Sequence, residues 1–377
     1  MRQRMVWVII LCVWVSSCDV EESEKNGDHQ RITRIVESQA AQPVDEYTVF
    51  RAPTGPMPIG SVIPEWEPAA GLALALPYDD AVSEEKILGY YMDIVQNAIR
   101  CVDVILLVDE RELPSFKQIL LQLRERNLEG HLRDDAERRI FLVPARFNSK
   151  WIRDYGPVFA RNTNGALCVL DAEYRDVREE PEVTGLPDLY AINPTLQMRL
   201  NDLFGDLFDS GADYGDRHED DSAPVYLTTF LDQQFGWDIQ IARVPLQLWG
   251  GDVFFDGRGN LFLSSETLRM NGGRREDVEL LLRHYYGMKT LTCLEPLPGE
   301  TIKHLDMIFK PAGPQALLAA DYPRDAGDSD IYMQYLHEET RRILENNAAR
   351  LRQAFPASRL ERVPMPPLAR TSILPVL

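Results

Sequence analysis

One order of elements recurs three times along this chain: a helical stretch, a strand, then two extended runs around a turn, with a polar motif where the paired runs begin. In the first round a helical stretch over roughly 112–127 lies between the strands VDVILLV (102–108) and RIFLVP (139–144). A loop holding KWIRDYGP then opens onto VFARN and ALCVLDAEY, separated by Thr163, Asn164 and Gly165. The second round has a helical stretch near 195–205, a strand near 238–244 and the paired runs of LQLWGGDVFFDGRGNLFLSS, turning at Asp256 and Gly257. The third has the helix REDVELLLRHYYGM, the strand KTLTCLEP and the pair within HLDMIFKPAGPQALLAAD, turning at Ala312, Gly313 and Pro314. Upstream, Ser83 can cap a helix with Ile87, Leu88, Met92, Val95 and Ile99 in one apolar stripe; downstream, a helix over about 330–355 leads to a strand near 361–366. Units of this size cannot bury their own apolar faces alone, so the repetition predicts α/β modules packed around a common centre. The acidic, Gly- and Ser-rich GDLFDSGADYGDRHEDDSAPVY reads as a surface excursion.

The polar motifs sit at corresponding places: Arg153 and Asp154, then Gly250, Gly251 and Asp252, then His304 and Asp306. If TIKHLDMIFK is extended, His304 and Asp306 emerge on one face while Leu305, Met307 and Phe309 enter the core on the other. Modules around an axis would bring these groups together with Trp66, Trp151 and Trp249. Carboxylates beside an imidazole and indole rings suit a guanidinium, whose donors form a rigid fork and whose face stacks on aromatic rings. Each residue also has a plain structural alternative. Asp154 can pair with Arg153 or Arg161, the tryptophans can fill the core, and Gly257 and Gly259 can serve only the turn.

EWEP at 65–68, WIRDYGP at 151–157, WGGDVFFDGRGNLF at 249–262 and HLDMIFK at 304–310, in that order, resemble the agmatine deiminase and bacterial peptidylarginine deiminase family over roughly residues 58–377. The resemblance implies a five-module α/β propeller (pentein) with a central well, within a domain spanning 51–377. It implies a hydrolase acting on linear amidines, converting the guanidino group of agmatine or peptidylarginine to a ureido group plus ammonia, with no metal and no cofactor. Asp154 and Asp306 then clamp the guanidinium, His304 is the general acid and base, and Trp66, Trp151, Gly250, Gly251 and Asp252 line the substrate site. Arg175 and Arg178 fall where peptidylarginine-type relatives hold a substrate carboxylate. Asp252 stands where relatives more often have asparagine, adding negative charge near the well.

The resemblance also implies a cysteine nucleophile in a glycine-rich loop near the C-terminus, and RVPMPPLARTSILPVL contains no such loop. The last module is therefore expected to be incomplete, with self-association through an exposed sheet edge. Cys101, Cys168 and Cys293 are expected to be buried and inert. The alternative to a hydrolase is an envelope protein that binds arginine-like or agmatine-like ligands without turnover. Amidinotransfer is a third class that uses similar modules.

The start, MRQRMVWVIILCVWVSSC, has arginines before an apolar run too short to span a bilayer, then small residues before Cys18. It reads as a lipoprotein-type signal over 1–17, with Cys18 lipid-bearing and 18–50 a flexible tether, which predicts an exported protein anchored in the bacterial envelope or released from it. The formal net charge of −19 argues against nucleic acid as a partner.

Overall fold

The structure is a computed structural model that describes residues 58–69, 71–76, 101–109, 140–174, 219–271, 275–298, 303–324 and 331–367, with a few helical positions between 91 and 98. Strands β2 (Gly71–Leu76), β3 (Asp103–Asp109) and β4 (Ile140–Ala145) form a parallel sheet in that order. β3 is buried from Val104 to Asp109, which is why its sequence is a near-continuous apolar run. After β4, the helical turn α1 (Ile152–Tyr155) occupies part of the expected KWIRDYGP loop.

The remaining sheets share one pattern. The hairpin β5 (Val158–Asn162) and β6 (Leu167–Glu173) has β7 (Gln240–Gln247) parallel to β6, with β1 (Ile59–Val62) added antiparallel to β5. The hairpin β8 (Val253–Phe255) and β9 (Asn260–Ser264) has β10 (Thr290–Leu294) parallel to β9. The hairpin β11 (Phe309–Gly313) and β12 (Ala316–Asp321) has β13 (Arg359–Pro364) parallel to β12. Each parallel return is reached through a helix, as a parallel pairing requires. These are α2 (Ala223–Phe235), the pair α3 (Ser265–Met270) and α4 (Arg275–Tyr286), and α5 (Ile331–Ala354). The module is therefore hairpin, helix, strand. The strand after each helix completes the sheet behind it and does not begin the next.

Three local expectations are corrected. The end of the acidic excursion folds into a 3-10 turn (Asp220–Ser222) and α2, whose first turn holds Pro224 and whose end is closed by Gly236 at φ 67 with its N–H on the Asp232 carbonyl at 2.8 Å. The third hairpin turns at Pro314 and Gln315, one step later than predicted. Most consequentially, HLDM is not extended: Leu305 to Ile308 form a bend and turn before β11. The Leu305 carbonyl accepts from the N–H groups of Ile308 at 2.9 Å and Phe309 at 2.8 Å. His304 and Leu305 are buried while Asp306 and Met307 are exposed, so the two acid–base residues do not share a face.

The modules are joined by common cores. Val278, Leu281 and Tyr285 of α4 pack with Leu261 of β9, Val244 of β7 and Ile59 of β1. Leu344 and Leu351 of α5 pack with Phe262, Phe309 and Leu317 across the next two sheets. Inside this frame Arg243 of β7 bridges Asp171 of β6, at 3.0 Å, and Asp221. Burial pushes the Asp171 carboxyl up to about 6, against Arg243 and with Asp221. No helix among the described residues is long and apolar enough to cross a membrane.

Candidate active site

Gly250 and Gly251 are where three loops meet. The Gly250 N–H donates to the Asp154 carbonyl at 2.8 Å, and its Cα lies so close to the Arg153 carbonyl that a Cβ there would overlap the oxygen. A Cβ on Gly251 would overlap the His304 ring, and the Gly251 carbonyl accepts from the Asp306 N–H at 3.0 Å. Neither glycine needs a left-handed backbone. Absence of a side chain lets the α1 turn and the loops before β8 and β11 close on one point.

The result is an imidazole against a carboxylate. His304 Nδ1 stands 3.6 Å from Asp154 Oδ1, and both side chains are buried. Behind them runs an aromatic file. Trp249 meets the His304 ring edge-on at 5.6 Å between centroids, Tyr174 lies 6.4 Å from Trp249, and Tyr155 lies 5.6 Å from Tyr174. The loop carrying Asp154 is held from below by the fully buried carboxylate of Asp220. It accepts from the backbone N–H of Asn148 (2.7 Å) and Ser149 (3.0 Å) and from the Ser149 hydroxyl (2.7 Å). The Ser149 carbonyl in turn accepts from the Tyr155 hydroxyl at 2.5 Å.

A second polar group lies at the surface. Glu65 pairs with Arg153 and, at 2.9 Å, with Lys310; the Arg153 guanidinium lies over the Phe254 ring, 4.9 Å from its centre. Burial would raise the Glu65 carboxyl, but Arg153 and Lys310 outweigh it and hold the group below its ordinary range. Although the residue as a whole is exposed, partial desolvation of its carboxyl pushes Asp306 above its ordinary range; Glu65 adds to this, and Arg153 and Lys310 oppose it. Asp306 thus belongs with this outer group, while Asp154 and His304 form the inner one.

The other expected residues are distributed as follows. Trp151 is 49% exposed beside Asp154's turn, with Lys150 Nζ 5.5 Å from its ring centre. Trp66 is half-buried next to Glu65. Asp252 is fully buried and its Oδ2 accepts from the Thr267 hydroxyl at 3.2 Å, so its charge is directed to α3. Arg175, Arg178 and Cys18 lie outside the described residues. The Arg153 guanidinium goes to Glu65. Glu65, Lys310 and Asp220 were missed by sequence reasoning; Glu65, inside EWEP, and Lys310, at the end of HLDMIFK, stood in motifs that could have flagged them.

Two of the described cysteines, Cys168 and Cys293, are unsuited to nucleophilic work. Burial pushes the Cys168 thiol up to about 11 and raises that of Cys293, the reverse of what a reactive thiolate needs. Cys101 is exposed, contrary to expectation, in the turn before β3. No group of three or more potential ligands for a metal ion occurs among the described residues.

The profile of the family described as Porphyromonas-type peptidyl-arginine deiminase matches residues 61–375. No curated protein matches the chain. Among solved structures, the agmatine deiminase of C. jejuni is similar at 17% identity and TM-score 0.52, over 81% of this chain and 72% of that one. A cysteine-to-serine variant of the C. jejuni enzyme with substrate bound is similar at 18% identity and TM-score 0.54, over 81% and 74%. The agmatine deiminase of Enterococcus faecalis is similar at 15% identity and TM-score 0.51, over 86% and 74%. At these identities the likeness is one of fold: mixed α/β, built from several small sheets.

Proposed function

The chain belongs to the Porphyromonas-type peptidyl-arginine deiminase family, and we propose that it recognises the guanidino group of agmatine or of a peptidylarginine, with the chemistry of a guanidino-group hydrolase. The observation that carries this reading is the convergence of Asp154 and His304 at 3.6 Å in a buried, aromatic-backed position where the paired glycines admit both. Asp154 would hold one edge of the cation from within and Asp306 the other from the outer group. His304 then transfers protons, taking one from the attacking nucleophile or water and giving one to the nitrogen that leaves as ammonia. The three hairpin, helix and strand units support a ring of five such modules around this point.

Hydrolysis through a covalent intermediate needs a thiolate, and the raised thiols of Cys168 and Cys293 favour a second reading in which the chain captures the guanidino compound without turning it over. Calorimetric titration with agmatine and with a peptidylarginine, beside an ammonia-release assay, separates the two. Heat without ammonia supports capture, ammonia supports hydrolysis, and absence of both sinks the guanidino reading. Asp154→Asn should weaken binding by at least about tenfold, because a charge-assisted contact to the buried edge is lost. The N-terminal segment supports an envelope location through Cys18. Cys18→Ala should then release the protein from the membrane fraction.

A further inference from the structure

The residue before His304 is backbone-strained. Lys303 has φ 61, a left-handed conformation that side chains other than glycine seldom adopt. Its ammonium reaches Glu266 Oε2 at 3.2 Å, with the two side chains only 18% and 12% exposed. Glu266 lies in the first turn of α3, so this helix reaches the histidine loop from behind. The same helix holds the glycine loop. Thr267 donates to Asp252, and just past the helix Asn271 accepts from the Gln247 N–H and donates to the Gln247 carbonyl, both at 2.9 Å. Between these tethers Gly251 lies flush on the His304 ring. The ring is thus set from two directions by one six-residue helix.

We propose that Glu266 is a positioning residue: through Lys303 it fixes the strained turn that aims the His304 imidazole at Asp154. This rests on the reading of His304 as the proton-transfer group. The strain explains why a tether is required. Without the ion pair, Lys303 gains by relaxing to negative φ, and the peptide leading into His304 rotates with it. Gly251 leaves the ring no slack in which to absorb that rotation.

The test uses the full chain and follows the His304 ring resonances through a pH titration by NMR, beside calorimetric titration with agmatine. Glu266→Gln and Lys303→Ala are expected to shift the imidazole titration and to weaken agmatine binding about tenfold, the scale of one weakened polar contact to a charged group. The swapped pair Glu266→Lys with Lys303→Glu should restore both. Lys303→Gly, which removes the strain along with the ion pair, should recover part of the affinity. The proposal is overturned if Glu266→Gln leaves the imidazole titration unchanged and agmatine affinity within about twofold, even when the melting temperature falls. If the unmodified chain binds no guanidino compound, the functional reading fails. The imidazole titration still decides the role of Glu266.

Discussion

Replacing Gly251 by alanine separates the site from the fold. The added Cβ would lie 2.8 Å from both Cγ and Cε1 of His304 and nearer still to Nδ1. Carbon atoms in contact sit about 3.5–4.0 Å apart, so the ring must withdraw by about 0.7–1.2 Å. It has little room to do so, being 6% exposed with Trp249 edge-on at 5.6 Å. A one-methyl overpacking of this kind costs about 1–3 kcal/mol of stability. A displacement of about 1 Å at a proton-transferring group costs on the order of a hundredfold in rate, and the same shift disturbs the Asp154 carboxylate 3.6 Å from the ring, so agmatine binding should weaken as well. Gly250→Ala has a different outcome, because its Cβ meets backbone: the Arg153 carbonyl oxygen, its carbon at 3.0 Å and the Asp154 Cα at 3.5 Å. A main chain cannot swing aside as a ring can, so this variant should lose more stability. Thermal unfolding and agmatine titration of both variants check the pair. Wild-type affinity in Gly251→Ala, or wild-type stability in Gly250→Ala, would refute the reasoning that the glycines exist to let three loops touch.

Other outcomes follow from single groups. Asp220→Ala strands the N–H groups of Asn148 and Ser149 and the Ser149 hydroxyl beneath the Asp154 loop, and should cost about 2–4 kcal/mol by denaturant unfolding, whereas Asp220→Asn keeps an acceptor for the backbone and should cost less. Agmatine binding should tighten as pH rises through the raised range of Asp306, since the cation needs the ionised carboxylate and binding releases its proton; Asp306→Asn should flatten that slope in titrations over the acid range. Iodoacetamide at mildly alkaline pH should label the exposed Cys101 first and leave Cys168 unreacted until unfolding, read by mass spectrometry, because burial pushes the Cys168 thiol up to about 11.

The sequence made the strands and hairpins legible wherever local signals agreed with their surroundings. VDVILLV needed only its apolar run, and DGRGN only its turn chemistry, with Gly257 and Gly259 at φ 73 and 95 and Asp256 Oδ1 accepting from Arg258 and Asn260. Helix α2 was missed because it is buried on several sides and follows an acidic run, so it shows no clean polar face. HLDMIFK was misread because its alternation of polar and apolar residues is that of a strand. The Gly251 carbonyl captures the Asp306 N–H and the Leu305 carbonyl closes a turn, tertiary and local bonds that no periodicity reports. The convergence of His304 and Asp154 was expected from the recurring motifs, but their 3.6 Å approach was not, because it depends on how closely a glycine lets two distant loops come together.

That dependence changes what the motifs can be taken to mean. Asp154, Gly250, Gly251 and His304 are short strings, and a chain could carry all of them while its loops drifted apart. What fixes the loops is a set of polar tethers outside the motifs: Asp220 under the Asp154 turn, Asn271 on the glycine loop, and Glu266 behind Lys303. Asp220 is fully buried, and a carboxylate in that position is costly unless the loop above it stays where its donors are satisfied. Glu266 and Lys303 hold a backbone angle that would otherwise relax. Such groups stabilise one arrangement of the loops over its neighbours and are a burden if the arrangement is lost. Their joint presence is therefore a stronger argument that the loops are held in one arrangement than the motif strings themselves.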